Sequence, residues 1–480
     1  MMQVSTPIKL TILHTNDLHG RVTQLTRIAT LVREIRREVD SEGGFCLYVD
    51  AGDSEDTIQL ESSLTKGSSM NAMLRGAGCE YAALGNAIPI RYGPQAIADM
   101  AKQFGKPLIC ANFMDENLAL VIGLESFTIH NFGMFKLGII GLTDAVKTYA
   151  SIFHLHPQKP EDILPDLIRQ ARGRGAQTIL LLSHLGLNQD KSLIEKAEGV
   201  DLIIGGHSHD ALNMPLNIHG TIIAQTGDFG RFLGRVDLEI DPVSGKIIHY
   251  EGRLLSIDES IPPDSEAVAA VESERIRVQQ IMNNVVGTLD VSFDLANDRE
   301  CAAGNLLADA LLERVAGADI ALVLAGHWET GLSAGMLTQG QLFAANRSTA
   351  NPAKVELTGE QILQFLGAAL KPENAEQSHH SLRGRKIGFP HIAGMTIDGS
   401  PINLETLKAC VADRPLIKSQ TYTVATTDME LSDWVNYLVI PDEQVEYEVP
   451  TIMPEVLEDY IAKHSPVPSP TPGRITIHPA

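Results

Sequence analysis

Seven side chains of the types that bind divalent cations lie in the first half of this 480-residue chain. Each follows a short apolar segment typical of a β-strand, at the point where the strand would end. A mixture of carboxylate, amide oxygen and imidazole suits borderline divalent ions such as Mn, Fe, Co or Zn. The seven are Asp17, His19, Asp53, Asn86, His184, His207 and His209.

Seven ligands are too many for one tetrahedral site, so the set predicts two metal ions that share a bridging carboxylate. Such a pair can hold a phosphoryl group between its ions and can supply a metal-bound hydroxide near neutral pH. A lone histidine at a strand end is more often structural, but the repetition of the pattern favours a dinuclear centre. The chemistry predicted is hydrolysis of a phosphate ester or anhydride.

The elements that must position these ligands are alternating strands and helices. From residue 8 to about 240, apolar strand-like segments alternate with helical periodicity, as at Leu25, Ile28, Val32 and Ile35. Nearly continuous apolar strands imply sheets covered on both faces, and in such sheets sites form beyond the carboxyl ends of the strands. The seven ligands stand at those ends, so the predicted topology agrees with the predicted chemistry.

The chain is long enough for more than one domain. We expect a first domain at residues 1–258, a connecting amphipathic helix at 259–284, and a second αβ domain at 285–480. The helix is indicated by apolar spacing and by acidic residues where its first turn would be.

The acidic composition restricts the possible partners. The formal net charge is −22 and the pI about 5.1, which disfavours nucleic-acid binding because that requires a basic surface. No segment offers about 18 uninterrupted apolar residues, so no membrane span is expected. The five cysteines are widely spaced and the start of the chain is unlike a signal peptide, which together predict a cytoplasmic protein. The sequence leaves the oligomeric state open.

The motifs HTNDLHG, DAGD, LGN, LSHLG and GGHSH, in this order, resemble those of the 5′-nucleotidase branch of the calcineurin-like metallophosphoesterases. In the second half, GNLLADAL, ADIAL, VELTGEQI and YTVAT resemble the C-terminal domain of the same branch. The resemblance implies a four-layer α/β/β/α sandwich followed by a C-terminal αβ substrate-binding domain. It also implies that Asp53 bridges two ions, one held by Asp17, His19 and His209 and the other by Asn86, His184 and His207.

The chain departs from the family where a catalytic histidine and aspartate usually follow the asparagine of the third motif. Those two positions hold Ala87 and Ile90. Loss of a general acid typically costs on the order of 10²–10⁴ in rate, and much less when the leaving group needs no proton. Arg91 is the candidate substitute, since a guanidinium can stabilise charge on a phosphoryl oxygen. The alternative is that Arg91 only forms a surface ion pair.

The loops that bind substrate in the family have also changed. Glu329 stands where relatives carry an arginine, and the loop containing Arg347 has no aromatic residue. The two tryptophans of the chain fall in these loops and could stack a base. The alternative is that they pack at the domain interface. The candidate substrate-binding residues are Trp328, Arg347 and Trp434.

These features predict a two-metal hydrolase acting on a nucleotide-like substrate, with Asn86 both as metal ligand and as phosphoryl contact. Because the acid dyad is missing, a phosphoanhydride such as a nucleotide sugar or dinucleotide is favoured over a plain monophosphate. The alternative is a metal-loaded, weakly catalytic protein that binds a nucleotide-like ligand as a sensor or partner.

Overall fold

The computed structural model describes residues 6–56, 59–133, 135–146, 149–150, 153–378, 386–400, 407–432, 435 and 437–478. The chain divides into two compact units, Met1–Val278 and Gln279–Ala480. Among the helices of the described chain, none combines the length and the apolar character needed to cross a bilayer.

The first unit is built around two sheets. One has the strand order β13-β12-β1-β2-β3 and the other β10-β11-β9-β8-β7-β6, while β4 and β5 form a separate pair. The strands are β1 (Ile8–Thr15), β2 (Phe45–Asp50), β3 (Tyr81–Ala82), β4 (Leu108–Ile109), β5 (Leu124–Glu125), β6 (Phe127–Phe132), β7 (Phe135–Thr143), β8 (Thr178–His184), β9 (Leu202–Gly205), β10 (Leu216–Ile218), β11 (Thr221–Ala224), β12 (Phe232–Ile240) and β13 (Ile247–Ser256).

Helices cover the outer faces of these sheets. They are α1 (Val22–Ser41), α2 (Leu60–Ser63), α3 (Ser68–Gly76), α4 (Ala87–Tyr92), α5 (Gln95–Phe104), α6 (Pro160–Gly173), α7 (Leu187–Lys196) and α8 (Ser265–Asn283). The predicted connecting helix corresponds to α8, and the division between the units falls inside it. Its first part packs on the first unit, where Glu274 accepts hydrogen bonds from Ser69 Oγ at 2.8 Å and from Arg277 Nε at 2.7 Å.

The two sheets pack face to face through one apolar core. Ile12 and Val49 of the first sheet share a buried cluster with Leu182 and Ile204 of the second. On its other face the second sheet packs against α6 and α7, and α1 packs on β2. The first unit is therefore the four-layer α/β/β/α sandwich that was predicted.

The second unit is also mixed αβ. Its sheets have the orders β18-β15-β22-β17-β23, β21-β20-β19-β24 and β14-β16. A single large apolar cluster joins them to the helices. The strands are β14 (Val285–Leu289), β15 (Ile320–Leu324), β16 (Gly335–Thr338), β17 (Pro352–Thr358), β18 (Pro390–Ala393), β19 (Met395–Gly399), β20 (Lys408–Val411), β21 (Arg414–Pro415), β22 (Thr421–Thr427), β23 (Val445–Tyr447) and β24 (Ile475–Ile477), and the helices are α9 (Ala302–Arg314), α10 (Gln339–Ala345), α11 (Gly359–Ala369), α12 (Pro372–Ala375) and α13 (Met453–His464).

Candidate metal centre

The seven predicted ligands come from the carboxyl ends of five strands in the first unit. β1, β2 and β3 are parallel neighbours in one sheet, and β8 and β9 are parallel neighbours in the other. Parallel strands bring their carboxyl ends to one edge of a sheet, and the two sheets pack together, so the loops meet. Asp17 and His19 follow β1, Asp53 follows β2, Asn86 follows β3, His184 ends β8, and His207 and His209 follow β9.

The loop backbones are held in an unusual conformation. Five of the seven ligands have φ between 45° and 74°, in the left-handed region: Asp17, His19, Asp53, His207 and His209. This region is unfavourable for residues with a side chain, at a cost of order 1–3 kcal/mol each, and such strain concentrates at functional sites. Backbone hydrogen bonds between two ligand loops fix it, from Asp17 N–H to Gly52 O at 2.9 Å and from His19 N–H to Asp53 O at 3.0 Å.

Three of the ligands form the first group, around Asp17. Its Oδ1 atom lies 3.4 Å from His209 Nε2 and 3.7 Å from His19 Nε2, and the two histidine nitrogens are 3.3 Å apart. Asp17 Oδ2 already accepts hydrogen bonds from Asn16 Nδ2 at 2.7 Å and from the His207 N–H at 2.9 Å. This leaves Oδ1 facing the two imidazoles.

The second group is centred on the amide oxygen of Asn86. Asn86 Oδ1 lies 2.8 Å from His207 Nδ1 and 3.0 Å from His184 Nε2. His184 Nε2 is also 3.3 Å from Asp53 Oδ2. Asp17, Asp53 and His184 have ligand atoms within 4.8 Å of one another, so Asp17 lies close to both groups.

The donor set fits divalent cations on several observations. Asp17 Oδ1 is buried and has no hydrogen-bond partner in the described part of the chain. Imidazole lone pairs and oxygen atoms that face each other at about 3 Å repel unless a cation or proton lies between them. Residue 85 must be glycine for Asp53 to keep this position, because a Cβ there would lie 2.0 Å from Asp53 Oδ1. The two groups could therefore hold divalent cations.

The electrostatics of the second group favour a charged Asp53. Burial opposes its ionisation, but the charge and hydrogen bond of His184 and the N–H of Ala87, at 2.9 Å, hold its pKa at about 2. For His184, burial likewise disfavours the charge, and the attraction of Asp53 prevails and raises its pKa to about 10. The His184 proton therefore balances the Asp53 carboxylate, and a cation bound between them would displace that proton.

Each histidine that ends or follows β8 and β9 has an oxygen atom near the ring nitrogen that faces away from the other ligands. His184 Nδ1 donates to Ala51 O at 2.8 Å, His207 Nε2 lies 3.8 Å from Asp144 Oδ2, and His209 Nδ1 lies 3.3 Å from Asp228 Oδ2. Such partners fix the tautomer and ring orientation of a metal-binding histidine. Sequence reasoning missed both aspartates. Asp144 could have been identified from the sequence, because it directly follows β7, the strand beside β8.

The helix α4 carries the positions of the missing dyad. Asn86 is its N-cap residue, and Ala87, Ile90 and Arg91 share one face because residues three and four apart are neighbours on a helix. Neither Ala87 nor Ile90 has an exchangeable side-chain proton. Arg91 lies in the last turn, one turn beyond Ala87, and is partly buried.

The candidate substrate-binding residues belong to the second unit. The loops of Trp328 and Arg347 adjoin, through an isolated β-bridge between Trp328 and Asn346. Trp328 is only 3% exposed and packs in the apolar core, whereas Arg347 is exposed, with its guanidinium 5.8 Å from the Phe343 ring. Trp434 lies outside the described residues.

A buried polar network, which the sequence analysis did not identify, links these loops to the end of β22. His327 lies 2.6 Å from Ser348 Oγ through Nδ1 and 2.9 Å from Glu430 Oε1 through Nε2. Glu430 also accepts hydrogen bonds from the Leu324 N–H, at 2.9 Å, and from the Thr427 hydroxyl. The four side chains of the network, His327, Ser348, Glu430 and Thr427, are all buried, so the network fixes the loops and presents no group to solvent.

Comparison with known proteins gives two family matches. Residues 10–211 match the model of the calcineurin-like phosphoesterases, and residues 285–440 match that of the 5′-nucleotidase C-terminal domain. The first match contains all seven ligands. Together the matches confirm the resemblance drawn from the motifs.

Relatives and a solved structure agree with these matches. The chain is 25% identical over 464 residues to the uncharacterized metallophosphoesterase YunD of Bacillus subtilis (strain 168), covering 95% of this chain and 98% of that protein. It is 27% identical over 352 residues to the 5′-nucleotidase of Bos taurus, covering 64% and 60%. The NAD nucleotidase (NadN) structure of Haemophilus influenzae aligns with a TM-score of 0.60 and 15% identity over 99% of this chain and 100% of that one, which shows a shared fold.

Proposed function

We propose that this chain is a two-metal phosphoanhydride hydrolase. It belongs to the calcineurin-like phosphoesterases that carry a 5′-nucleotidase C-terminal domain, and it is a metal-dependent phosphoester hydrolase. The observation that carries the proposal is the convergence of seven ligand side chains in two adjoining groups. We assign Asp17, His19 and His209 to one ion and Asn86, His184 and His207 to the other. Asp53 is assigned as the bridge.

Ions bound in the two groups supply Lewis-acid stabilisation of phosphoryl oxygens and a water nucleophile that ionises near neutral pH. The residues of the chain hold this arrangement. The His184 Nδ1 proton is held by Ala51 O, so Nε2 is the nitrogen that faces the centre. Asn86 turns its amide oxygen to the histidines, and we propose that it also contacts the phosphoryl group.

The substrate class follows from α4. With Ala87 and Ile90 at the dyad positions, no side chain there can protonate a leaving group. A phosphate or nucleotide leaving group is expelled from an anhydride as a stable anion, whereas an alkoxide needs a proton. We therefore propose a phosphoanhydride with a nucleotide-like portion, and Arg91 as the group that stabilises developing charge.

The test is a substrate panel on Mn-loaded protein. The readout is phosphate release for monoesters and nucleoside diphosphates, and chromatographic separation of the monophosphate products for dinucleotides and nucleotide sugars. Anhydrides and p-nitrophenyl phosphate should be hydrolysed, nucleoside monophosphates should react far more slowly, and Asp53→Ala should abolish turnover. Fast hydrolysis of monophosphates with no anhydride activity would contradict the proposed substrate class.

The alternative, a metal-loaded binding protein with weak catalysis, is favoured by the same loss at Ala87 and Ile90. The two functions separate on p-nitrophenyl phosphate, whose leaving group needs no proton. Full metal occupancy without turnover of this ester would support the binding protein.

A further inference from the structure

A cationic and aromatic pair borders the first ligand group of the metal centre. Arg21 is two residues after His19, and Phe229 follows the carboxylate that contacts His209. The Arg21 guanidinium carbon lies 4.4 Å from the centroid of the Phe229 ring. That ring is 5.7 Å from the His19 ring and 6.3 Å from the His209 ring.

The backbone holds Phe229 in place. Its φ of 57° is unusual for a bulky residue, and its N–H donates to Asp17 O at 2.8 Å. A side chain at the next residue, Gly230, would clash, since its Cβ would lie 2.9 Å from Gln24 Cβ. Phe229 is nevertheless 37% exposed. The structure thus maintains a strained, partly exposed aromatic residue beside the ligands, as expected of a functional position.

Throughout the residues that the structure describes, no carboxylate lies within ion-pair distance of Arg21, whereas Arg231 in the adjacent loop is paired with Asp228. One Nη1 proton of Arg21 is donated to His19 O at 3.0 Å, which leaves its other N–H groups available. Stacking on Phe229 keeps the guanidinium plane oriented.

We propose that Arg21, supported by Phe229, binds a second phosphate of the substrate, beyond the phosphorus that is attacked. A planar guanidinium binds phosphate oxygens through two parallel hydrogen bonds. The uncharged alcohol portion of a simple monoester has no phosphate oxygens to accept them. The subsite selects phosphoanhydrides over simple monoesters. This proposal rests on the proposed function and deepens it. The missing histidine and aspartate favour phosphoanhydrides because of the leaving group, and Arg21 favours them because it binds their second phosphate.

The kinetic test compares kcat/KM for a nucleoside diphosphate with kcat/KM for p-nitrophenyl phosphate. In Arg21→Gln the ratio of the two should fall at least tenfold, mainly through the KM of the diphosphate, and Phe229→Leu should lower it less. The matched control is Arg174→Gln, which removes another guanidinium stacked on a phenyl ring, 4.6 Å from the Phe127 centroid. Its ratio should stay within twofold of wild type. A ratio that moves less than twofold in Arg21→Gln, or equally in both arginine variants, overturns the proposal.

A binding measurement separates this proposal from the proposed function. Titration calorimetry would compare a nucleoside monophosphate with the corresponding diphosphate whose bridging oxygen is replaced by CH₂, using Mn-loaded protein. Tighter binding of the diphosphate analogue, lost in Arg21→Gln, supports the subsite even if no substrate turns over. Equal affinity of wild type for the two ligands overturns the subsite, whatever the activity. Absence of turnover for every phosphate compound overturns only the proposed hydrolysis.

Discussion

The carboxylates behind two of the histidines give the most direct test of how the metal centre is supported. Replacing Asp228 by Asn keeps the shape of the side chain but removes the charge 3.3 Å from His209 Nδ1. Loss of such a partner typically lowers metal affinity 10–100-fold, or about 1.4–2.7 kcal/mol. We expect Asp228→Asn to fall within this range.

The structure also predicts an order between the two carboxylates. Asp144 lies 3.8 Å from His207 Nε2 and is more exposed than Asp228, 21% against 13%. Greater distance and solvent screening weaken the interaction, so Asp144→Asn should lose less than about tenfold in affinity.

The assay is competition between each variant and a fluorescent chelator for Mn²⁺ or Zn²⁺, which measures affinity without requiring turnover. Because Asp228 is also paired with Arg231, Arg231→Gln serves as the control and should change affinity less than Asp228→Asn. Equal affinities for wild type and both aspartate variants would refute the idea that these carboxylates orient the histidines. A larger loss in Asp144→Asn would refute the ranking by distance and exposure.

Three further predictions concern the dyad, the buried network and a buried acid. The double variant Ala87→His/Ile90→Asp should raise phosphate release from nucleoside monophosphates by about 10²-fold if a missing acid limits that reaction; no gain would place the limit elsewhere. Glu430→Ala should lower the free energy of unfolding by about 3–5 kcal/mol, because it leaves buried donors unpaired, His327 among them; an unchanged urea midpoint would contradict this. Burial raises the pKa of Asp190 from its ordinary 3.8 to about 7, so the folded state binds the proton more tightly than the unfolded state. Its contribution to stability should therefore fall as pH rises from about 4 to 7, by at most about 4 kcal/mol, and Asp190→Asn should remove this pH dependence in thermal unfolding.

The sequence alone predicts the metal ligands because their positions are local features. Each ligand follows an apolar strand within a few residues, and strand polarity then decides that the carboxyl ends meet. The loss of the acid dyad is equally local, since Ala87 and Ile90 stand at fixed positions after Asn86. For the same reason the sandwich of the first unit follows from its alternating strands and helices.

The supporting contacts depend on segments that are distant in the chain. Asp144 reaches His207 only because β7 lies beside β8, and Phe229 reaches His19 only because its loop hydrogen-bonds to Asp17. The burial of Trp328 is decided in the same way, by the packing of the second unit's core.

The sequence of this protein by itself therefore predicts which groups bind metal, and it determined that Ala87 and Ile90 offer no acid group, since motif and strand order encode both. Only the tertiary structure decided which side chains orient those ligands, that the Arg21 guanidinium stands beside them, and that Trp328 is enclosed. Several of these depend on contacts between loops more than 100 residues apart in the chain, such as Ala51 with His184 and Arg21 with Phe229. Side-chain packing sets such contacts, and spacing along the chain does not encode it.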